Sequence, residues 1–226
     1  MQAVHQRGEN NAFVTAAGER FNRSVGIEPL ATVVLTLTVS GSVAAVGTSL
    51  ANDVVAEAQA IWRHAGVDVR RLSPDEARQR PADVYVFFTR QPPVRTATSH
   101  AAPLAWILFT AGQPSNRVFV SRDAARLLLQ RDGRLGTLFS ALPPNGRDRM
   151  VGRVMGRALA HEIGHYLFAS TGHTRTGLMR ATQSIASLAT DDTKAFRVDA
   201  TSLHARRDAG PAEDCALLHR GWDALP

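Results

Sequence analysis

The chain has 226 residues, 44% of them apolar and 20% charged, which is typical of a folded globular protein with one substantial core. This composition excludes an intrinsically disordered chain and a fibrous repeat protein. The formal net charge of +6 comes from scattered arginines and a single lysine, Lys194, and this pattern does not favour binding to nucleic acid.

The first part of the chain predicts an arm followed by a strand. Residues 1–28 are polar and weakly patterned, and we interpret them as an N-terminal arm before a single domain over residues 29–226. The apolar run Leu30–Leu50 is interrupted by polar residues and glycine, so it does not predict a membrane-spanning helix. Its β-branched part, Thr32–Val39, predicts a buried strand. The run begins too late for a signal peptide, so a secreted or periplasmic location would require that one had been removed.

A helix, four more strands and two further helices follow in the pattern. Asn52 or Asp53 is the expected N-cap of the first helix, which Gly66 ends. The four strands are predicted at Val67–Leu72, Asp83–Thr89, Pro103–Phe109 and Asn116–Ser121. A short helix, Asp123–Gln130, then precedes a long one, Arg147–Phe168. This order predicts an α/β or α+β fold with a twisted mixed sheet of about five strands and helices packed on it.

The long helix contains the sequence HEIGH, in which two histidines stand four residues apart. At about 100° per residue, His161 and His165 lie on one face of the helix, so both imidazoles can reach one ion. Glu162 lies close enough to contact a water on that ion without binding the ion itself. Because zinc hydrolysis uses neutral imidazoles as ligands and a carboxylate to take a proton from the water, the pattern predicts a hydrolytic Zn²⁺ site.

A catalytic zinc site has three protein ligands, so a third is expected after the helix. Gly172 offers a positive-φ position that would end the helix and turn the chain back, and His173 follows it directly. We therefore take His173 as the third ligand. Glu213 and Cys215 lack the surroundings that glutamate-type and cysteine-type zinc sites require. Acidic residues without a motif around them stay as alternatives: Asp191, Asp192 and Asp199.

Six residues in order resemble the metzincin clan of zinc peptidases: His161, Glu162, His165, Gly172, His173 and Met179. The resemblance implies a zinc metalloendopeptidase with Glu162 as general base and Met179 in a methionine turn beneath the metal. The sequence departs from the family at two points. His173 follows the second histidine by eight residues, two more than in the family, and Phe168 stands in place of a glycine.

The same resemblance implies how the domain is divided and where a substrate lies. Residues 29–172 would form an upper subdomain with the sheet and the motif helix, and residues 173–226 a smaller lower one. The fourth strand would be the cleft-side edge, where a peptide or protein substrate pairs as an added strand. The expected contacts are Ala105, Trp106 and Ile107. The alternative is a central strand, because the run is short and apolar.

Two other functions compete with the peptidase. A binding protein can keep the zinc scaffold without catalysis, although the presence of Glu162, which does not bind the metal, favours the enzyme. A basic nucleic-acid-binding protein would carry the histidines by chance. The arginines of the long helix recur every four residues and predict a solvated face, with a clamp for a substrate carboxylate at Arg157 as the alternative. Gly152 and Gly156 predict close packing of this helix on the sheet.

Overall fold

The computed structural model describes three stretches of the chain: residues 33–40, 46–90 and 103–198. All of them lie within one compact unit, Ala31–Pro226. The predicted N-terminal arm lies outside the described residues, as do Asp199, Glu213 and Cys215. In the part that is described, no helix is long and apolar enough to cross a membrane.

Five strands form one mixed sheet, which confirms the predicted fold class. They are β1 (Val33–Ser40), β2 (Val67–Arg71), β3 (Val84–Thr89), β4 (Ala105–Thr110) and β5 (Gln113–Ser121), and their order across the sheet is β2-β1-β3-β5-β4. Four strands run parallel, and β4 pairs antiparallel with β5 at the edge. The strands alternate between buried and less buried residues, because one face of the sheet lies in the core with the helices.

The hairpin between β4 and β5 is tighter than the sequence predicts. Its turn consists of Ala111 and Gly112, which have φ values of 51° and 75°. Two consecutive positive φ values are the geometry of a two-residue turn whose twist matches that of the strands. β5 therefore begins at Gln113 and not at the predicted Asn116. Alanine at the first turn position gives no signal for this geometry.

Besides one 3-10 helix, Lys194–Phe196, the described residues form six α-helices. They are α1 (Thr48–Arg63), α2 (Pro74–Gln79), α3 (Arg122–Arg131), α4 (Gly133–Ala141), α5 (Pro144–Phe168) and α6 (Ile185–Ala189). The predicted cap of α1 is wrong: the helix begins one turn earlier, after Gly47, with no capping side chain. The sequence does not predict helices α2, α4 and α6. Side chains of Ser73, Asp132 and Ser184 cap them by accepting backbone N–H bonds.

Gly152 and Gly156 of α5 face α1, and the prediction that they pack on the sheet is wrong. A Cβ on Gly156 would lie 2.5 Å from the Glu57 Cβ and 2.7 Å from the carbonyl oxygen of Val54. A Cβ on Gly152 would lie 2.9 Å from the Asp53 Cβ. The two helices therefore approach so closely that only glycine fits between them, and this contact fixes the position of the helix that carries the histidines.

We expect Gly156→Ala to lower the free energy of unfolding by about 1–3 kcal/mol, because the new methyl group overlaps the backbone of α1. Urea denaturation measures the change. Gly146→Ala is the matched control in the first turn of the same helix, where an added Cβ meets side-chain atoms at 3.4 Å or more. Equal losses in the two variants would mean that the close contact between the helices is not what Gly156 provides.

Candidate metal centre

Three imidazoles meet at the end of α5. His161 and His165 are buried on successive turns of the helix, and His173 is more exposed. One ligand atom from each lies within 4.8 Å of the others. Over the described residues this is the single group of three or more histidine, cysteine or acidic side chains close enough to hold a metal ion. The structure thus brings together the three residues that the sequence singles out as ligands.

Main-chain carbonyl groups fix the orientation of the two helical histidines. His161 Nδ1 lies 2.8 Å from the carbonyl oxygen of Leu178, and His165 Nδ1 lies 2.6 Å from that of Ser170. Because a carbonyl oxygen can only accept, each Nδ1 carries the proton and each Nε2 carries the lone pair. Such carbonyl partners are the usual way in which proteins hold a metal-binding imidazole in one tautomer.

The two Nε2 atoms lie 3.0 Å apart, and this contact fits a shared cation. Two lone pairs cannot bond to each other, and a cation that both nitrogens bind would remove their repulsion. Burial and the neighbouring His165 hold the pKa of His161 well below its usual range, and burial lowers the pKa of His173. The neutral imidazoles that result are the form that binds zinc. Two nitrogens on one tetrahedral zinc ion lie roughly 3.3 Å apart, close to the observed separation.

The turn between the second and third histidines differs from the prediction. Helix α5 ends at Phe168, and Ala169 takes the left-handed conformation (φ 45°, ψ 44°). Gly172 does not have a positive φ, so its predicted role in ending the helix is wrong. The Ser170 N–H donates to the carbonyl of His165 at 3.3 Å. The longer connection therefore forms a compact turn whose Ser170 carbonyl orients His165.

We expect Ala169→Gly to raise the free energy of unfolding by about 0.5–1 kcal/mol, because the left-handed conformation strains alanine and not glycine. Chemical denaturation of the zinc-free protein measures the gain. The control is Ala56→Gly at an exposed position inside α1, which should lose about 1 kcal/mol because glycine disfavours a helix interior. A loss of stability in both variants would contradict the assigned backbone conformation.

Glu162 is buried between the motif helix and the edge strand. Only 5% of its surface is exposed, and burial raises its pKa to about 8. The backbone N–H of Ile107 in β4 donates to the carboxylate and opposes this rise. A carboxyl group whose pKa lies near neutral pH is well matched to accepting and returning a proton.

β4 is the edge strand, as predicted, and the alternative of a central strand is wrong. The Ser121 N–H donates to the carbonyl of Leu104 at 2.8 Å, so in this antiparallel pair the main-chain groups of Ala105 and Ile107 point away from β5. The outward N–H of Ile107 is not available to pair with a substrate strand, because it donates to the Glu162 carboxylate. The outward groups of Ala105 have no partner among the described residues.

The third residue predicted to contact substrate, Trp106, turns its side chain to the other face of the strand. Its ring stacks on Phe119 of β5, with centroids 5.2 Å apart and an angle of 9° between the planes. Phe119 in turn stacks on Phe87 of β3 at 5.2 Å. The indole is therefore part of an aromatic row across the sheet, and only the main chain of Trp106 lies along the edge.

Met179 lies directly against the motif helix. A Cβ on Gly164 would lie 2.2 Å from the Met179 Sδ, so the absence of a side chain there makes room for the methionine. A hydrogen bond from the Thr174 N–H to the carbonyl oxygen of Met179, at 2.8 Å, closes the turn that carries this methionine. The preceding residue, Leu178, supplies the carbonyl that orients His161. This turn therefore packs under the helix and orients one of its histidines.

The structure separates the other candidate residues from the three histidines. Asp191 pairs with Arg153, and the Asp192 carboxylate accepts the backbone N–H of Lys194 at 2.8 Å. Neither belongs to the histidine group. Arg157 is completely buried and paired with Glu57, so the predictions of a solvated face and of a substrate clamp are both wrong for this residue.

Sequence reasoning missed the main-chain groups of the site and the role of Arg157. The carbonyls of Leu178 and Ser170 and the N–H of Ile107 act through the backbone, and no side-chain pattern marks them. Arg157 had one signal: small and apolar residues flank it in the part of the helix from Val154 to His165, where every residue is buried.

The sequence matches no protein-family model and no curated protein sequence. Among solved structures, the chain is similar to archaemetzincin from Methanopyrus kandleri, with 17% sequence identity and a TM-score of 0.44. The match covers 80% of this chain and 97% of that one. At this TM-score the likeness does not identify a family, so a functional assignment has to come from the geometry of the histidines and Glu162.

Proposed function

We propose that the protein is a zinc-dependent metallopeptidase of metzincin type, in which His161, His165 and His173 hold the ion. The observation that carries this proposal is the convergence of the three imidazoles beside a buried carboxyl group. Two of the imidazoles have their Nδ1 atoms bonded to carbonyl oxygens, which leaves Nε2 of each as the metal-binding atom. A group of three imidazole nitrogens without a carboxylate favours zinc over calcium or magnesium, which prefer oxygen ligands.

A bound zinc ion supplies a Lewis acid that polarises the scissile carbonyl and lowers the pKa of a water molecule. Glu162 acts as the base that takes a proton from the attacking water as its oxygen adds to the carbonyl carbon. The protonated Glu162 then gives this proton to the amide nitrogen as the C–N bond breaks, and the second proton of the water passes from the new carboxylic acid to the amine, so the products are a carboxylate and an ammonium group. Burial of Glu162 favours the first transfer by raising its proton affinity, and the Ile107 N–H holds the carboxylate in place.

Met179 has a supporting role in this proposal. It fills the space beside Gly164 and keeps the Leu178 carbonyl against His161. This is the role that a methionine turn plays beneath a metal: packing and orientation without ligation.

We expect an extended peptide to pair with the edge of β4 through the outward groups of Ala105. Ala105→Pro removes that N–H but no bond within the sheet, because proline is tolerated at an outward-facing edge position. The value of kcat/KM should fall about two- to tenfold, as for the loss of one hydrogen bond, with zinc content unchanged. Ala105→Ser keeps the N–H and is the control. If Ala105→Pro cleaves as fast as this control, the peptide does not pair there.

The experiment that tests the proposed function is cleavage of a proteome-derived peptide library by the full chain. We expect cleavage that a chelator abolishes and added zinc restores. A chain that binds zinc but cleaves nothing would instead support the inactive zinc-binding scaffold. A chain that binds no zinc would contradict both and would leave the basic nucleic-acid-binding protein as the remaining candidate.

A further inference from the structure

Arg157 lies on α5, one turn before the first histidine, and it is completely buried. Its Nε donates to the Glu57 carboxylate at 2.8 Å. Its two terminal nitrogens donate to the carbonyl oxygens of Ser187 and Asp192, the latter at 3.2 Å. The guanidinium also lies over the ring of Phe196, 4.6 Å from its centroid. One side chain thus joins α1 and α5 to the segment that follows the methionine.

A charged guanidinium that is completely buried is stable only when hydrogen bonds or an ion pair compensate its charge. Burial lowers the pKa of Arg157, and the Glu57 carboxylate opposes that effect. Every arm of the guanidinium has an acceptor, so the charge is compensated by directed contacts that a flexible hydrophobic side chain could not make. Two of these acceptors are main-chain carbonyls, those of Ser187 and Asp192. Arg157 therefore holds the main chain of residues 187–196 in place, and this effect does not depend on the side chains of that segment.

A short series of contacts leads from this segment to the metal centre. Arg197 directly follows Phe196, whose ring lies under the Arg157 guanidinium. The carbonyl oxygen of Arg197 accepts a hydrogen bond from the Leu178 N–H at 3.3 Å. Gly177 lies so close to the same carbonyl that a Cβ there would be 2.4 Å from its oxygen. The carbonyl of Leu178 then receives the Nδ1 proton of His161 at 2.8 Å. The position of that carbonyl therefore depends on the segment that Arg157 holds.

We propose that Arg157 is a positioning residue that holds the Leu178 carbonyl against His161 and thereby sets the affinity of the three-histidine site for metal. The inference rests on the zinc binding proposed above. Without the arginine, the end of the segment at Phe196 and Arg197 loses its contact with the Arg157 guanidinium, and the Leu178 carbonyl moves with it. His161 then loses the acceptor that fixes its tautomer and its ring orientation.

The matched control lies one turn earlier on the same helix. Arg153 also bonds to the downstream segment, through the Ala189 carbonyl at 2.6 Å and the Asp191 carboxylate. These bonds reach residues 189 and 191, whereas Arg157 packs on Phe196 at the end of the segment that leads to the site. Arg153→Met therefore removes an arginine that bonds to the same segment but leaves the contacts at its Phe196 end, which orient His161, in place.

The test compares wild type, Arg157→Met, Arg157→Lys and Arg153→Met as full chains. Zinc affinity is measured by competition with a chromophoric chelator, ligand geometry by the d–d absorption of the Co²⁺ form, and the His161 tautomer by ¹⁵N NMR of the metal-free protein. Arg157→Met should raise the zinc Kd about 10- to 100-fold, alter the Co²⁺ spectrum and lose the single Nδ1–H tautomer. Arg157→Lys should show a smaller change, and Arg153→Met should match wild type.

Wild-type zinc affinity, Co²⁺ spectrum and tautomer in folded Arg157→Met would overturn the inference while leaving the proposed function intact. If Arg157→Met does not fold, Arg157→Lys decides in the same way, since it keeps the charge but cannot reach all three acceptors. Equal losses in Arg153→Met and Arg157→Met would also overturn it, because the effect would then be general loosening. A wild-type chain that binds neither Zn²⁺ nor Co²⁺ would refute the proposed function itself.

Discussion

Glu162→Gln should keep its zinc and its fold while peptide hydrolysis falls by about 10²–10⁴-fold, the range that a positioned general base contributes. Glutamine has nearly the same shape and still accepts the bond from the Ile107 N–H, so the packing between α5 and β4 is preserved. Its amide cannot take a proton from water. The loss should therefore appear in kcat, measured with a peptide identified from the library.

Glu162→Asp is the matched control for this prediction. It keeps a carboxylate but withdraws it by one methylene, so it should retain more activity than glutamine does. Zinc content and urea denaturation show whether either variant has lost metal or fold. A Glu162→Gln chain that cleaves as fast as wild type, with equal zinc, would mean that proton transfer is not the role of this residue.

His173→Ala should weaken zinc binding by more than the roughly 100-fold that loss of an outer hydrogen-bond partner costs, because it removes a ligand atom. His173 is the most exposed of the three histidines and follows a connection of unusual length, so it is the ligand most in need of a test. Metal analysis after dialysis and a chelator competition give the change in affinity. The fold should be retained, since the residue is not part of the core.

The same measurement on Asp191→Ala and Asp192→Ala provides the controls. The Asp191 side chain is 92% exposed and paired with Arg153, and Asp192 caps a backbone N–H, so neither change should affect zinc. If His173→Ala binds zinc as tightly as wild type, the third ligand lies elsewhere, and Asp199 would be the next variant to make.

The parts of the site that the sequence predicts are those set by local periodicity. The four-residue interval of a helix brings His161 and His165 together wherever that helix packs, and Glu162 is beside them for the same reason. Alternation and β-branched residues mark the strands in the same local way, so the five-stranded sheet is found. The edge position of β4 was implied by the resemblance to metzincins and not by the residues of the strand.

Helix ends were predicted less well because tertiary contacts outweigh local preference there. Glycine is the usual residue in a left-handed position, which points to Gly172, yet the chain places Ala169 there. The hydrogen bond from the His165 Nδ1–H to the Ser170 carbonyl oxygen depends on that turn and offsets its strain. At the start of α1, burial of Leu50 and Ala51 draws the first turn into the helix without a capping side chain.

Arg157 shows a second limit of one-dimensional patterns. Arginines at four-residue intervals look like a solvated face, and nothing in the spacing distinguishes the buried member. Its partners Glu57, Ser187 and Asp192 are 100, 30 and 35 residues away along the chain. Contacts at such separations exist only once the fold has formed, so they cannot be read from local sequence.

Zinc K-edge X-ray absorption of the full chain counts the atoms bound to the ion and identifies their type. We expect three imidazoles and one further light atom at about 2.0–2.1 Å, with no sulfur. A sulfur ligand at about 2.3 Å would contradict this expectation; Cys215 is the single cysteine in the sequence that could supply it. A spectrum with only two imidazoles would also contradict it, because His161, His165 and His173 would then not act together.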